Sequence, residues 1–183
     1  HTAGTNSYTA EQADDVIRGI YAYHLNNGWD DIAYNFLVDR FGRIWEGRAG
    51  GIREAVRGGH AAGWNEASMG VSVMGNFQGS EPPAVAVQAV DDLVRWKLDV
   101  HHVDPNATTV EVSGSGSSNR YSRGTRVELP VITGHRRTNN TTCPGSDLYA
   151  HVTGDSTHRS RAAGGADGGH PHRHRRGAAA RGP

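Results

Sequence analysis

Two stretches of the chain carry apolar residues at the three- and four-residue spacing of an amphipathic helix. The first follows Thr9, which with Gln12 three residues later forms a capping-box pattern. It should end at the Asn26-Asn27-Gly28 segment, a typical C-terminal stop. The second opens at Pro82-Pro83 and should end near His101. The pattern therefore predicts helices near residues 13–26 and 84–101.

Shorter apolar runs between these helices predict strands rather than helices. In the first run, Ile32, Tyr34, Phe36 and Val38 alternate with other residues and are expected to share one face. Strands are expected at 32–38 and 43–46, joined into a hairpin by 39–42, then at 69–74, and in a second hairpin at 108–112 and 126–132. These elements predict an α/β fold of short strands and hairpins interleaved with helices.

The composition changes at about residue 151. Residues 1–150 contain 13 Lys and Arg against 17 Asp and Glu, whereas residues 151–183 contain 6 against 2. The second part has a single branched apolar residue, Val152, so it cannot bury enough surface to order itself. We therefore predict a domain over 1–150 and a disordered tail over 151–183, and we expect no helix after Ser146. The tail also suits an out-of-frame reading of GC-rich coding sequence.

The overall charge and cysteine content exclude several classes of protein. The 19 basic and 19 acidic residues balance, so we expect no nucleic-acid partner. No apolar run reaches the ~18 residues that a membrane span needs. The single cysteine, Cys143, rules out an internal disulfide framework. Because the chain starts at His1 without a methionine or signal peptide, we interpret it as a fragment or a processed product.

Four loop or strand positions could carry chemistry. His135 and Cys143 lie eight residues apart in a polar loop, and imidazole and thiolate are both good zinc ligands. A lone cysteine can equally be a small buried residue. His60 follows glycines that would let a ligand approach, although it could be an exposed loop histidine. Tyr34 could be a site residue or a core tyrosine with its hydroxyl satisfied. The residues alone leave these alternatives open.

Several ordered segments make the chain similar to a known family. It resembles the zinc-dependent N-acetylmuramoyl-L-alanine amidases of the peptidoglycan recognition protein and phage-lysozyme-like family, most of all the bacterial members. The matching segments are His1-Thr2-Ala3-Gly4, residues 28–38, Glu46-Gly47-Arg48, residues 59–65, residues 68–76, Gly134-His135-Arg136 and residues 141–145. Their order and spacing hold over residues 1 to about 150.

The resemblance implies a mixed β-sheet flanked by helices, with a zinc-containing groove on one face. It also implies hydrolysis of the amide between N-acetylmuramic acid and L-alanine in peptidoglycan. His135 and Cys143 match two of three ligands to one zinc ion. Tyr34 matches a tyrosine beside the metal, Thr141 matches a residue facing the scissile carbonyl, and His60 matches a catalytic-groove histidine near the substrate. A catalytic zinc keeps three protein ligands and one open position.

The third zinc ligand is the main departure from the family pattern. Family members carry His-His-Thr-Ala-Gly, and the first histidine is the ligand. His1 aligns with the second, so the true ligand and its strand are expected just upstream, and this stretch alone is expected to fold poorly. His1 could substitute as the third ligand, but we expect no strand to position it.

Substrate-binding residues are expected in the loop after His60. Trp64 and Asn65, together with Arg48, are suited to pack against a sugar and to bind carboxyl or amide groups, although Trp64 could instead be a core residue. By resemblance, the Gly63-Trp64 pair is associated with diaminopimelate in the stem peptide. The expected partner is therefore peptidoglycan, and the expected location is secreted, extracellular or in the cell wall. We expect a monomer.

Two other functions stay open from the sequence. Relatives that lack a ligand, usually the cysteine, only bind peptidoglycan, so the chain could be a non-catalytic binding module. Cys143 argues against this, and the missing histidine argues for it. The unusual tail leaves a non-functional gene product or inactive fragment as the third interpretation.

Overall fold

The computed structural model describes residues 1–154 of the 183-residue chain. Its secondary structure consists of six strands, three α-helices and one 3₁₀ helix. In chain order these are β1 (Thr2–Ala3), α1 (Ala13–Asn26), β2 (Phe36–Val38), β3 (Ile44–Glu46), β4 (Val71–Met74), α2 (Ala84–Val100), β5 (Thr108–Val112), β6 (Arg126–Pro130), a 3₁₀ helix (His135–Arg137) and α3 (Ser146–Thr153). The expected disorder of residues 155–183 lies outside the described residues.

A mixed four-stranded sheet forms the centre, with strand order β1-β4-β2-β3. β4 runs parallel to both β1 and β2, and β3 closes the antiparallel hairpin with β2. β5 and β6 pair antiparallel in a separate two-stranded sheet. This confirms the predicted class, an α/β fold with a mixed sheet and flanking helices.

Helices cover both faces of the central sheet. Phe36, Val38 and Val73 pack on one face against residues of α2 and against Leu148 of α3. Leu37 and Met74 point to the opposite face and pack with residues of α1. Strand side chains alternate between faces, so a sheet buried on both sides reads as a continuous apolar run. The sheet is thus the middle layer of three.

The first predicted strand is shorter than expected, and its residues do not share one face. Only Phe36–Val38 pairs as a strand, while residues 32–35 bend before it. Ile32 and Tyr34 consequently lie in the cluster on the α1 side, whereas Phe36 and Val38 lie on the α2 side. The bend breaks the two-residue period, so the prediction of one common face is wrong.

The end of the domain also differs from the sequence expectation. We expected no helix after Ser146, but α3 runs over Ser146–Thr153 and ends at Gly154 in the left-handed conformation (φ 68°). Leu148 is buried in the α2-side core, which stabilises this helix by tertiary packing. Residues 151–153 therefore belong to the folded domain, not to the tail.

No helix among residues 1–154 is long and apolar enough to cross a membrane.

Candidate metal centre and groove

Three side chains converge where β1, the 3₁₀ helix and the loop before α3 meet. The ligand atoms of His1, His135 and Cys143 all lie within 4.8 Å of one another. The His1 and His135 rings are 4.1 Å apart between centroids. This is the one such group of three or more potential metal-ligating residues in the part of the chain that the structure describes. The structure thus brings together the two predicted ligands and His1.

β4 positions His1, contrary to the sequence expectation. The amino group of His1 donates to the carbonyl of Val71 at 3.2 Å, and the N–H of Val73 donates to the carbonyl of His1 at 3.1 Å. Thr2 and Ala3 continue this pairing as β1. The expectation that no strand holds His1 is therefore wrong, because two residues of pairing are enough to lay the segment along β4.

Backbone donors and close packing fix the other two residues. The N–H of Thr2 donates to the Cys143 Sγ at 3.2 Å, which ties the cysteine to β1. His135 begins the 3₁₀ helix directly after Gly134. A Cβ on Gly134 would lie 2.5 Å from the Tyr149 ring, so only glycine allows this close approach.

His60 is buried and His1 and His135 are half-buried, and each of the three rings has one buried, unpaired nitrogen. His1 Nδ1, His60 Nδ1 and His135 Nε2 are buried without a hydrogen-bond partner in the described part of the chain. Burial, and secondarily the neighbouring amino group, lowers the pKa of His135 to about 4. The ring is therefore neutral at pH 7, and neutral imidazole is the form that binds a metal ion.

Tyr34 and His60 line the same centre. The Tyr34 and His60 rings lie 5.0 and 5.6 Å from the His1 ring between centroids. Burial raises the pKa of Tyr34 to about 12, with the nearby Cys143 as a smaller contribution. Burial, followed by the charge of His135, lowers the pKa of His60 to about 4. At neutral pH both side chains are uncharged.

Thr141 lies beside Cys143. Its Oγ1 accepts the N–H of Cys143 at 3.1 Å, which leaves the hydroxyl proton available to another acceptor. Thr141 is exposed, and together with Cys143 and Thr2 it lines a cavity of about 290 Å³. The predicted residue is therefore beside the cysteine, with a donor free to turn toward a ligand.

A larger cavity of about 630 Å³ begins at His1 and His135 and extends toward α2. Arg48, which the sequence analysis proposed as a substrate-binding residue, lies on its wall. Lys97, which sequence reasoning missed, also lies there and donates to the carbonyls of Ile52 and Glu54 at 2.9 and 2.7 Å. The only sequence signal that Lys97 lines the cavity and binds this loop was a lysine on an otherwise apolar helix face.

Trp64 and Asn65, the other two residues expected to bind substrate in this loop, are mainly engaged in contacts within the protein. Trp64 is 7% exposed and packs edge-on against Tyr121, and its indole N–H donates to Asn119 Oδ1 at 3.0 Å. It lines the cavity but is mainly a core residue, which was the alternative interpretation. The Asn65 Oδ1 accepts the N–H of Ala61 at 2.8 Å. Asn65 therefore shapes the loop, and it is not among the described residues that line the cavity.

Asn35 is a second residue that the sequence analysis missed. It is buried, its Oδ1 accepts the N–H of Gly70 at 2.9 Å, and its Nδ2 donates to the carbonyl of Val56 at 2.7 Å. It thereby ties the loop that precedes His60 to the start of β4. A polar residue between Tyr34 and Phe36, inside an apolar run, was the available signal.

Comparison with known proteins places this site in context. The family model described as N-acetylmuramoyl-L-alanine amidase matches residues 1–146. Peptidoglycan-recognition protein SC2 of Drosophila simulans is 30% identical over 153 residues, which cover 83% of this chain and 68% of the relative. Peptidoglycan-recognition protein SC1a/b of the same species is 30% identical over 155 residues, covering 84% of this chain and 69% of the relative.

Solved structures of related proteins share the fold. Peptidoglycan recognition protein LE in complex with tracheal cytotoxin, a monomeric diaminopimelic acid-type peptidoglycan, is 27% identical with a TM-score of 0.62. The similarity covers 84% of this chain and 75% of that chain. Human PGRP-IβC in complex with glycosamyl muramyl pentapeptide is 26% identical with a TM-score of 0.62, covering 82% of this chain and 76% of that one.

Proposed function

Because this chain belongs to the N-acetylmuramoyl-L-alanine amidase family, we propose that it is a zinc-dependent hydrolase of peptidoglycan. The bond cleaved is the amide between the lactyl group of N-acetylmuramic acid and L-alanine of the stem peptide. The observation that carries the proposal is the convergence of His1, His135 and Cys143 beside a cavity large enough for a peptide.

The three side chains suit one zinc ion. Two imidazoles and a thiolate are donors that zinc prefers, and three protein donors leave a fourth position open. The buried, unpartnered Nδ1 of His1 and Nε2 of His135 support this assignment. Buried polar atoms normally have a partner, and a zinc ion would provide one for both nitrogens. When bound, zinc supplies Lewis-acid chemistry that polarises the scissile carbonyl and activates water at neutral pH.

Tyr34 and Thr141 act as hydrogen-bond donors in this proposal. With a pKa of about 12, the Tyr34 phenol keeps its proton at neutral pH and can donate it to a developing oxyanion or orient the attacking water. The hydroxyl proton of Thr141, which lies beside Cys143, can serve the same purpose. Losing one such donor typically reduces turnover by ~10²–10³.

His60 contributes as a neutral group. Its pKa of about 4 means that the imidazole is unprotonated over the pH range in which the hydrolase would work. It therefore binds or orients the substrate as a neutral polar ring and does not supply a positive charge. The proton given to the leaving amine has to come from another group at the centre.

We propose the substrate from the chemistry of the groove and from the relatives. Related structures hold a muramyl pentapeptide and a diaminopimelic acid-type peptidoglycan. In this chain Arg48 on the cavity wall offers a guanidinium to a stem-peptide carboxylate. Peptidoglycan of the diaminopimelate type is thus the proposed substrate. Because peptidoglycan lies outside the cytoplasm, the protein is proposed to act there, as a monomer.

The proposal is tested by metal content and by release of stem peptide from purified cell walls. We expect one zinc ion per full chain and release that stops on chelation and returns with zinc. His135→Ala and Cys143→Ser should lose both zinc and release. His102→Asn is the matched control and should retain both, because His102 is exposed after α2, does not line the large cavity, and has a left-handed backbone (φ 55°) that asparagine tolerates.

The His1→Ala variant separates two versions of the metal site. Loss of zinc would assign His1 as the third ligand, whereas full zinc and activity would assign the third donor outside the described residues. Tight binding to cell walls with neither zinc nor release would contradict the hydrolase proposal. That result would favour a recognition module, the role that the names of the related proteins describe.

A further inference from the structure

A serine that has no place in the metal centre makes a hydrogen-bonded chain to His60. The Ser68 Oγ lies 2.5 Å from the carbonyl oxygen of Trp64 and 3.1 Å from Nε2 of His60. Ser68 is exposed and lines the large cavity, whereas His60 is 7% exposed. The pair therefore stands at the wall of the groove, with the histidine behind the serine.

The distances determine where the protons lie in the series of hydrogen bonds from His60 through Ser68 to Trp64. Two oxygens 2.5 Å apart need a hydrogen between them, and the Trp64 carbonyl carries none. The single hydroxyl proton of Ser68 is therefore donated to Trp64. The Ser68 oxygen can then only accept from His60, so the proton of the neutral imidazole has to be on Nε2.

The opposite tautomer is disfavoured by the same contacts. A proton on Nδ1 would require the Ser68 hydroxyl to donate to Nε2, which would leave two bare oxygens 2.5 Å apart. Nδ1 is buried and makes no hydrogen bond that meets geometric criteria among the described residues, although the backbone of Ala33 favours a proton on the ring. It also lies between two glycines, since a Cβ on Gly58 or Gly70 would be 2.3 or 2.6 Å from it. A ligand cannot reach this nitrogen.

We infer that Ser68 is a positioning residue that fixes His60 as the Nε2-protonated tautomer and holds the ring against the groove. The Trp64 carbonyl accepts the Ser68 hydroxyl proton and so fixes the serine. The Trp64 side chain is fixed in turn by its hydrogen bond to Asn119. The His60 ring thus has a fixed orientation at the groove wall, with its N–H committed to Ser68 and not to the substrate. The consequence for catalysis rests on the proposed function, but the tautomer does not.

The test uses histidine-selective ¹⁵N labelling of the full chain and a two-dimensional spectrum that links ring nitrogens to ring protons. His60→Gln identifies the His60 signals by their loss. In the wild type, His60 is expected to show a protonated Nε2 and an unprotonated Nδ1. Ser68→Ala should turn these into the averaged shifts of mixed tautomers, and Ser68→Thr should restore the wild-type pattern.

Activity supplies the second readout. Ser68→Ala is expected to lower kcat/KM for stem-peptide release by about tenfold, in the range found when a hydrogen bond orienting a functional histidine is removed. Ser68→Thr should recover most of it, because the exposed position has room for the added methyl group. Thr125→Ala is the matched control, since the exposed Thr125 Oγ1 also donates to a carbonyl, that of Ser122 at 2.8 Å, but makes no hydrogen bond to a histidine among the described residues.

Two results would overturn the inference. One is a wild-type His60 protonated on Nδ1, and the other is a Ser68→Ala protein that keeps the Nε2-protonated pattern. If the wild type neither binds zinc nor releases stem peptide, the proposed function fails, but the tautomer of His60 still decides the role of Ser68. The two failures are therefore distinguishable.

Discussion

Replacing Gly70 by alanine tests whether His60 is held as tightly as the structure indicates. Gly70 precedes β4 and is buried. A Cβ at this position would lie 2.3 Å from Cγ, 2.6 Å from Nδ1 and 2.7 Å from Cβ of His60. Real Cβ atoms do not approach so closely, so the imidazole or the backbone has to move. Gly70 does not have a left-handed φ, so the effect is steric alone.

The magnitude follows from what surrounds the contact. The obstacle is the base of the ring, not a flexible chain end, and Gly70 is fixed on both sides. Its N–H donates to Asn35 Oδ1, and its carbonyl accepts from the N–H groups of Asn35 and Phe36 at 2.9 and 3.2 Å. Overpacking of this kind costs ~1–3 kcal/mol. For a domain of this size, each kcal/mol lowers the Tm by roughly 2–4 °C.

Urea and thermal unfolding of the full chain measure this loss, and stem-peptide release measures displacement of His60. Gly19→Ala is the matched control: Gly19 is inside α1, with nothing within 4 Å of an added Cβ. That change should stabilise the protein by ~0.5–1 kcal/mol through helix propensity. A Gly70→Ala protein as stable and as active as the wild type would refute the described packing around His60.

Three further changes probe other parts of the account. Asp39→Asn should lower the free energy of unfolding in urea by ~3–5 kcal/mol, because Asp39 is fully buried and accepts from Arg43 Nε at 2.5 Å. A loss below ~1 kcal/mol would contradict this. Asn119→Ala should cost ~1–3 kcal/mol in the same assay by leaving the buried indole N–H of Trp64 unpaired, and an unchanged midpoint would show that the bond is dispensable. His60→Gln should flatten the dependence of stability on pH. The pKa of His60 is about 4 in the folded protein against an ordinary 6.5, so the unfolded chain takes up this proton first. The stabilisation is complete above about pH 6.5 and is lost as the pH falls toward about 4, by ~3 kcal/mol. Parallel stability curves for wild type and variant would contradict it.

The helices were the most predictable part of the fold. The prediction for α1 is confirmed over Ala13–Asn26 because its spacing and stop signal are local. The capping box forms in part, since the Thr9 N–H donates to Gln12 Oε1. α3 was missed because Leu148, its main buried apolar residue, gains stability only from the core that it joins. Local periodicity cannot register such tertiary packing.

The site was predictable by residue type but not by arrangement. His135 and Cys143 could be proposed as zinc ligands from their side-chain chemistry and from the family resemblance, and the structure brings the pair together with His1. That His1 is laid along β4 depends on sheet order, which no local pattern encodes. Ser68 stands in a loop of small and polar residues, so only the hydrogen-bond distances indicate its role.

The identity of the bond cleaved is the most direct test of the central claim. Cell walls of the diaminopimelate type are digested with the full chain, and the soluble products are analysed by mass spectrometry after labelling of free amino groups. The account predicts stem peptides with a new N-terminal L-alanine and glycan strands on which hydrolysis has produced a free lactyl carboxylate. Cleavage at a glycosidic bond or within the stem peptide, or no cleavage by zinc-loaded protein, would contradict it.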